Sequence, residues 1–371
     1  MQKSGHNGMM LQSAWAALAL AAVTFLLPLL VFGGQGISPR QAAEPVLPPA
    51  PSPAEPSSSV PPPAQPAPAG GGEEDRARTV KVLLEDGQIL ETNMADYLWG
   101  VVAAEMPASF EPEALKAQAA AARTYTLWKA LHNKAHPEAN VCTDYTCCQA
   151  WLSREAALEK WGGESAAYAE KLDKALAETD GTVLYFDAQP IQAAFHASSA
   201  GRTQDAVAVW GSTVPYLASV ATPEGDEAPN YHTTVTLPEA EVRAALESLG
   251  CKLEEDEKPE EWLSELTCSE SGAVLTAQVG DVVLRGNVLR TALGLRSPSF
   301  TVECSEGVFT FSVTGYGHGV GLSQYGANAL AKEGKTWREI LAWYYTGVEF
   351  GDYDGPPIPE EQASPQPSGG G

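Results

Sequence analysis

Basic side chains are scarce in this sequence of 371 residues: 23 lysines and arginines stand against 47 aspartates and glutamates, for a formal net charge of −24. Because phosphate binding needs a basic surface, this balance argues against nucleic acid and against an anionic membrane surface as the main partner. Six cysteines are too few for a scaffold built on disulfides. Hydrophobic residues, at 44%, suffice for a core and exclude a fully disordered chain.

The N-terminal segment contains a long apolar run. Residues 14–32 carry no charge, and this run is long enough for one helix to cross a bilayer. Lys3 precedes the run and favours a cytoplasmic N-terminus. We therefore predict a transmembrane anchor over residues 1–33, with the rest of the chain at the cell membrane but outside the cytoplasm. A cleaved signal peptide, which has a shorter apolar core, is the alternative.

The remaining chain divides by composition. Residues 34–78 are of low complexity, with eleven of the 28 prolines between Pro45 and Pro68, which predicts an extended spacer without a core. Residues 79–350 have a globular pattern, and residues 351–371 are expected to form a disordered tail.

Helical and strand patterns are mixed without regular alternation over residues 79–350, which predicts one α+β domain rather than a doubly wound sheet. A Glu- and Lys-rich stretch with a helix at 239–249 is expected to form a small acidic excursion. Further helices are predicted at 94–104, 110–132 and 336–345, and strands at 80–84, 181–186, 191–196, 274–283 and 308–313.

Four segments of this region carry the motifs that matter for function: 97–107 with 113–125, 136–149, 196–203 with Trp210, and 315–327. In this order they closely resemble the stage II sporulation protein D family of endospore-forming bacteria, and the resemblance extends over about residues 79–350.

The resemblance implies a peptidoglycan lytic transglycosylase that acts during engulfment in endospore formation. Such enzymes cleave the MurNAc–GlcNAc bond without water, because the C6 hydroxyl of the muramic residue attacks its own C1 and leaves a 1,6-anhydro end. Family members act on glycan strands stripped of peptides by a partner amidase, beside membrane proteins of the engulfment machinery. The rival interpretation is a non-catalytic amidase enhancer or autolysin modifier that binds the cell wall.

Glu105 matches the catalytic acid that this resemblance implies. The Met106–Pro107 pair after it predicts that the helix ends there. Val101, Val102 and Met106 would surround the carboxyl group with apolar atoms and raise its pKa, so that one carboxyl acts first as acid and then as base. The alternative is a helix-terminal glutamate that is exposed to solvent or paired with Arg123.

Other residues are candidates for substrate binding. Lys116 and Gln118 are expected to line the cleft, while Arg123 is the candidate for a structural pairing with an internal acid. A nucleophilic Ser323–His318 pair is disfavoured, because no elbow motif surrounds the serine. The small hydrogen-bonding groups of the third segment and the glycine-rich fourth segment are consistent with a sugar subsite. These candidates are His196, Ser199, Thr203, His318, Ser323 and Gln324, with Trp99, Trp210 and Tyr216 as stacking or core residues.

The second segment places one histidine and three cysteines within 13 residues: His136, Cys142, Cys147 and Cys148. Three thiolates and one imidazole can close a tetrahedral structural zinc site. His132 could replace His136 as a ligand. A disulfide between Cys142 and either Cys147 or Cys148 is the competing interpretation.

The other three cysteines allow one further pairing. A Cys251–Cys268 disulfide could staple the acidic excursion and leave Cys304 buried and free, although an odd count makes any pairing uncertain. A zinc amidase is a poor candidate, since its metal would need an open coordination position.

Overall fold

Helices and strands are interspersed along the chain, so the α+β prediction is confirmed. The structure is a computed structural model that describes residues 76, 78–132, 135–254 and 256–353, all within the unit Gln65–Gly371. The anchor predicted over residues 1–33 lies outside the described residues, as do nearly all of the spacer and the tail. Within the described ranges, we find no helix with the length and apolar character needed to cross a membrane.

The strands of the described residues form five small sheets rather than one large sheet, with the orders β2-β1-β3, β14-β4-β5, β13-β6, β11-β12-β7 and β10-β9-β8. In chain order they are β1 Thr79–Leu83, β2 Ile89–Asn93, β3 Val141–Cys142, β4 Thr182–Phe186, β5 Gln189–Pro190, β6 Phe195–His196, β7 His232–Pro238, β8 Ser264–Cys268, β9 Val274–Val279, β10 Val282–Arg285, β11 Phe300–Ser305, β12 Val308–Thr314, β13 Leu322–Ser323 and β14 Glu349–Asp352.

The helices include all of those predicted from the sequence. In chain order they are α1 Met94–Glu105, α2 Pro112–His132, α3 Arg154–Trp161, α4 Ser165–Thr179, α5 Ala206–Trp210, α6 Glu239–Ser248, α7 Gly286–Ala292, α8 Gln324–Lys332 and α9 Trp337–Tyr344, with 3-10 turns at Gly162–Glu164 and Pro259–Glu261.

Helix α2 lies at the centre of the first hydrophobic core. Its alanine-rich middle is fully buried, which lets α1, α4, β4, α8 and α9 approach closely. Arg123 crosses this core and donates from Nη1 to the carbonyl oxygens of Thr179 (2.7 Å) and Thr182 (3.3 Å). These bonds join α2 to the end of α4 and the start of β4, while the pairing of Arg123 with an internal acid stays a prediction.

The predicted acidic excursion is larger than expected and has a hydrophobic core of its own. The second core is built by the elements from β7 to β12, with Trp262 stacked on Phe309 at a ring distance of 5.6 Å. Entry and exit are adjacent, because β7 pairs antiparallel with β12 and His232 lies opposite Thr314. The polypeptide leaves the first core, builds the second, and returns beside its point of departure.

Two strand predictions need correction. The strand predicted at 191–196 exists only at Phe195–His196, because Ala193 N donates to Ile191 O (2.9 Å) and Ala194 N to Gln192 O (2.7 Å) in local turns. The strand predicted at 274–283 is a hairpin of β9 and β10, turned at Gly280 with φ +55°.

Candidate functional site

Glu105 is the last residue of α1. Met106 has extended backbone angles (φ −116°, ψ 144°), and its N–H still bonds to Val102 O. The helix therefore ends where the Met106–Pro107 pair predicts. Apolar side chains of Val101, Val102 and Met106 are buried around this point. The glutamate side chain projects from a rigid helix terminus.

The two carboxylate oxygens of Glu105 have different partners. Ala150 donates its backbone N–H to Oε1 at 2.7 Å, and the Gln324 side-chain amide donates to Oε2 at 3.4 Å. Burial raises the pKa of Glu105, and the two hydrogen bonds oppose this rise. Arg123 points to backbone carbonyls of another layer, so the exposed Glu105–Arg123 pairing does not describe the site.

Gln118 and Gln324 come together beside Glu105. Gln324 Nε2 lies 3.5 Å from Gln118 Oε1, and both residues are buried. Gln118 Nε2 has no hydrogen-bond partner among the described residues. An amide donor can bind a sugar hydroxyl, but Gln118 is fully buried, so its expected place in the substrate cleft stays a prediction.

Lys116 does not join this group. Its Nζ contacts Oε1 of Glu113 at 2.5 Å and also Oε2 of Glu178 on α4. These partners raise the pKa of Lys116 against the opposing effect of desolvation. The expectation that Lys116 lines the cleft is wrong in this structure, because an ion pair between α2 and α4 already uses the charge.

His196 and Ser199 form a buried pair. The imidazole Nε2 lies 2.6 Å from Ser199 Oγ, and Nδ1 lies 3.2 Å from Val320 O. Since a carbonyl only accepts, Nδ1 carries the proton and Nε2 accepts from the serine. Burial and the neighbouring His318 lower the pKa of His196 to about 3, so the ring is neutral.

Glu224 is a site residue that sequence reasoning missed. Its Oε1 accepts from Ser199 N (2.6 Å) and Ser323 Oγ (2.5 Å), and its Oε2 accepts from Thr222 Oγ1. Tyr344 in turn lies 2.6 Å from Thr222 Oγ1. The Thr-Pro-Glu-Gly turn around it looks like an ordinary solvated turn, so no local signal reveals that a distant serine fixes this carboxylate.

Ser323 connects this buried network to Glu105. Its Oγ accepts from Gly326 N at 3.2 Å and so caps helix α8, whose first residue is Gln324. Because Ser323 donates to Glu224 rather than to His318, the disfavoured nucleophilic pair has no support in these contacts. Ser323 is therefore a positioning residue for Gln324.

His318 lies in the glycine-rich loop between His196 and Trp210, at ring distances of 5.6 and 5.9 Å. Its Nδ1 accepts from Val320 N at 3.0 Å. Burial, assisted by the charge of Arg290, lowers the pKa of His318 to about 4. Gly317 is required here, since a Cβ would lie 2.7 Å from His196 Cβ and φ is +113°.

Thr203 does not have the accessibility expected of a sugar-binding residue. It is buried, and its Oγ1 accepts from Val220 N at 2.9 Å while its own N–H donates to Val220 O at 2.9 Å. Its hydroxyl is used in closing the loop between residues 203 and 220, which corrects the prediction of a substrate contact.

The three candidates for stacking on a sugar differ in their surroundings. Trp99 is buried with its ring 5.6 Å from Trp161, and Tyr216 packs 5.4 Å from Phe186. Of the three, Trp210 alone lies beside a histidine of the fourth segment, and it is half-buried.

The four predicted ligand residues form one cluster. Ligand atoms of His136, Cys142, Cys147 and Cys148 lie within 4.8 Å of one another. The distance from Cys148 Sγ to Cys147 Sγ is 3.8 Å, and from His136 Nε2 to Cys147 Sγ it is 3.3 Å. Tetrahedral thiolates at about 2.3 Å from zinc lie about 3.8 Å apart, so the set fits a closed metal site. His132 instead contacts Trp128 O on its own helix.

All six cysteines are free thiols, so the competing disulfides, including Cys251–Cys268, are absent from the structure. Cys304 is free as expected but half-buried. Burial raises the pKa of both Cys142 and Cys148, which keeps these thiols protonated without a metal.

The cysteine cluster adjoins the Glu105 site through the chain that follows it. After Cys148, Gln149 Nε2 donates to Thr126 Oγ1 at 3.0 Å, Ala150 N–H reaches Glu105, and Leu152 N–H bonds to Gly100 O at 3.2 Å. A metal bound at the cluster would therefore fix the segment that holds the carboxylate.

Comparisons with known proteins agree on one family. A family model described as stage II sporulation protein matches residues 85–186. The chain is 38% identical over 264 residues to stage II sporulation protein D of Bacillus subtilis (strain 168), covering 70% of this chain and 75% of that protein. Over 266 residues it is 37% identical to the protein of the same name from Bacillus amyloliquefaciens, with the same coverage. It is also 29% identical over 314 residues to an amidase enhancer of Bacillus subtilis (strain 168), covering 69% of this chain and 40% of that protein.

Proposed function

The chain belongs to the stage II sporulation protein D family, and from this premise we propose that it is a peptidoglycan lytic transglycosylase. We propose that its substrate is the glycan strand after peptide removal, cut between MurNAc and GlcNAc to leave 1,6-anhydromuramyl ends. Its place would be engulfment during endospore formation.

The environment of Glu105 carries this proposal. A carboxyl group whose pKa is raised by burial retains the proton that a leaving glycosidic oxygen needs. Among the described residues, no second carboxylate contributes to that rise or bonds to Glu105. Glycoside hydrolysis normally uses two carboxylates, whereas an internal hydroxyl nucleophile removes the need for the second.

The Glu105 side chain alone would then supply and recover the proton of the reaction. Glu105 gives its proton to the glycosidic oxygen as the bond from C1 to that oxygen breaks. The resulting carboxylate, held by Ala150 N–H and the Gln324 amide, takes the proton of the C6 hydroxyl as O6 bonds to C1. Glu105 returns to its protonated state, and no water is consumed.

We further propose that the cluster of His136, Cys142, Cys147 and Cys148 holds a structural zinc ion. With four protein ligands, the ion would supply rigidity rather than an open coordination position. Its effect on the reaction would pass through Ala150 N–H, two residues beyond Cys148.

The cellular setting is also a proposal. An anchor at residues 1–33 and the proline-rich spacer at 34–78 would hold the domain outside the cytoplasm, within reach of the wall. A partner amidase would remove the peptides before this protein acts, and proteins of the engulfment machinery would act beside it in the membrane.

A second candidate function is the enhancement of an amidase without glycan cleavage. The 29% identity to an amidase enhancer favours it. The two functions differ in whether the purified chain alone produces new glycan ends.

The test uses the full chain purified in detergent, as wild type, Glu105→Gln and the control Glu85→Gln, which changes an exposed turn residue. Each is incubated with peptide-stripped and intact peptidoglycan, and the products are analysed by mass spectrometry. Anhydromuramyl ends from wild type and control, absent with Glu105→Gln, support the proposal. Reducing ends would indicate a hydrolase. No cleavage by a folded, strand-binding chain would favour the enhancer function.

A further inference from the structure

Two arginines of the second core border the glycine-rich loop. Arg290 lies in α7, and Arg296 follows shortly after it in the chain. Arg290 Nε donates to Arg296 O at 3.1 Å, and the same carbonyl accepts from Gly317 N at 2.9 Å. The guanidinium of Arg296 lies 3.9 Å from the ring centroid of Tyr316. The two cations are thus fixed to each other and to the loop that carries His318.

Among the described residues, these arginines lack the anionic partners that several other cations have. Lys116, Arg154 and Lys332 each contact a carboxylate. Within the described ranges, neither Arg290 nor Arg296 has a carboxylate within ion-pair distance. Arg290 Nη1 lies 3.4 Å from Asn287 Oδ1.

Their partial burial makes the missing counter-charge significant. Both are half-buried, and Arg296 Nε is a buried atom without a hydrogen-bond partner among the described residues. Desolvation lowers the pKa of Arg290. In a chain with a net charge of −24, a half-buried guanidinium pair without an acid indicates that an anion comes from outside the chain.

Backbone hydrogen bonds and the strand pair β6–β13 connect the loop beside the arginine pair to Glu105. Tyr316 bonds to Ser198 on one side, with N to O distances of 2.8 and 3.0 Å. Ser198 follows β6, which pairs with β13, and Gln324 directly after β13 donates to Glu105. Arg290 also acts electrostatically on the His196 and His318 rings.

The surface at this place is open and aromatic. Tyr316 is 43% exposed, and Tyr145 of the cysteine segment, which interacts electrostatically with Arg290, is 75% exposed. An exposed aromatic ring offers an apolar face for a sugar ring, and a neighbouring guanidinium can bind an anion.

We propose that Arg290 and Arg296 form an anion subsite that binds the free lactyl carboxylate of a peptide-stripped muramic acid, with Tyr316 beside its sugar ring. This subsite rests on the proposed function. In an intact strand the lactyl carboxyl is an amide that begins the stem peptide, so it carries no charge there. A guanidinium fork binds a carboxylate far better than an amide, and the pair would therefore select stripped strands.

The same chemistry would also bind a phosphodiester of an anionic wall polymer. The lactyl carboxylate is the better candidate because backbone bonds from Tyr316 to Ser198, and the β6–β13 pair beyond it, link the loop beside the arginines to Gln324 and Glu105. The experiment includes both ligands so that the source of the anion is determined directly.

The experiment measures binding, separately from cleavage, in the full chain carrying Glu105→Gln. Two ligands are compared: peptide-stripped strands, and the same strands with every lactyl carboxylate converted to a methyl amide. Charge-assisted hydrogen bonds of about 1.5–3 kcal/mol predict that Arg290→Gln or Arg296→Gln weakens binding to free-acid strands about 10- to 100-fold. Neither should weaken binding to amidated strands. Lys174→Gln, an exposed residue with the same charge change, should have no effect on either ligand.

Thermal unfolding is measured for every variant, and Arg290→Lys and Arg296→Lys form a second series that keeps the positive charge. Because lysine keeps the charge but not the fork, these variants should keep only part of the preference for free-acid strands, and binding as tight as with both arginines present would overturn the guanidinium subsite. Equal weakening toward both ligands, or no weakening, also overturns it.

The remaining ligand is poly(glycerol phosphate). Arginine-dependent binding of this polymer, without a difference between the two strand ligands, would assign the subsite to phosphodiesters and overturn the lactyl proposal. If the binding differences hold but the wild type releases no anhydromuramyl ends, the proposed reaction fails and the subsite stands.

Discussion

The backbone N–H of Ala150 donates a 2.7 Å hydrogen bond to Oε1 of Glu105. Ala150 lies two residues after Cys148, so the proposed acid and the cysteine cluster are joined through one short stretch of backbone. An isolated amide donor favours the charged carboxylate, while burial favours the protonated form. The position of this one segment therefore sets the balance between the two protonation states that the reaction needs.

Glu105→Gln should abolish nearly all cleavage, since the amide cannot transfer a proton. General acid–base catalysis supplies typically about 10²–10⁴-fold, and a loss of at least that size is expected in the release of anhydromuramyl ends. Binding of stripped strands should persist. Loss of binding together with activity would instead indicate that Glu105 shapes the cleft.

The same substitution should stabilise the fold at neutral and higher pH. The pKa of Glu105 is raised in the folded state above its ordinary value of 4.5, so wild type loses stability as pH rises from that ordinary value through the folded pKa. Glutamine has no such loss. The difference in thermal midpoint between Glu105→Gln and wild type should be smallest near pH 4 and grow with pH. A difference that is constant across pH contradicts the raised pKa.

Acid should destabilise the fold through the histidine pair. In the folded state the pKa is about 3 for His196 and about 4 for His318, against 6.5 in the unfolded chain. Both rings are neutral when folded, so their contribution is complete above pH 6.5 and is lost as pH falls toward 4. Because each tenfold difference in proton affinity between the two states is worth about 1.4 kcal/mol, the loss is on the order of a few kcal/mol. Unfolding in denaturant at pH 7, 6 and 5 measures it, and His318→Asn should reduce the slope.

Metal removal should lower the thermal stability of the fold, and this effect is measured independently of activity. If free zinc is present at about 1,000 times the Kd of the cluster, removal of the metal by a chelator removes about 4 kcal/mol of stabilisation. Cys147→Ser should lose bound zinc, measured by elemental analysis, and should show a lower thermal midpoint that chelators no longer change. Cys304→Ser, a half-buried thiol outside the cluster, is the control. Equal chelator sensitivity in both variants would exclude the cluster as the metal site.

Gly100→Ala should displace the segment that holds Glu105. A Cβ at Gly100 would lie 2.2 Å from Trp151 Nε1 and 2.5 Å from Leu152 O. Because the second contact is backbone, α1 and the segment around Ala150 must separate, at a cost of about 1–3 kcal/mol. Gly163→Ala has open space at its Cβ and is the matched control. Unchanged stability and activity in Gly100→Ala would show that this contact is unimportant.

Glu224→Gln should test the network behind Gln324. The glutamine offers one acceptor oxygen where the glutamate serves Ser199, Ser323 and Thr222 with two. A loss of about 1–3 kcal/mol is expected in denaturant unfolding, because a buried donor is left unpaired. Thr336→Ala, which removes the exposed cap of α9, is a control that should lose stability without a change in the pH profile of cleavage.

Local signals were sufficient for much of the architecture. The Met106–Pro107 pair gives the end of α1, Pro112 opens α2, and the four metal-candidate residues are close enough in sequence to be recognised as a group. Each depends on neighbours within a few positions. The role of Glu105 came instead from the family resemblance, because spacing alone does not separate it from an ordinary surface glutamate.

The errors concern partners that are distant in sequence. Lys116 and Thr203 were expected to contact substrate. The structure instead pairs Lys116 with Glu178 on another helix and Thr203 with Val220 across a loop, and sequence spacing does not reveal these two contacts. Glu224 was missed for the same reason, since Ser323 is 99 positions away. Arg290 and Arg296 lie between β10 and β11, in the region that composition described only as an acidic excursion.

The placement of β14 has a consequence for the order in which the chain folds during synthesis. β4 pairs with β5 on one side and with β14 on the other, and β14 is at Glu349–Asp352. Helices α8 and α9, which complete the packing around α2, also follow the second core in the chain. On the ribosome, the second core can therefore fold before β14, the last strand that packs with the first core, has been synthesised. The nascent first core therefore exposes apolar surface until β14 has been synthesised, and truncation before Glu349 should yield a protein prone to aggregation.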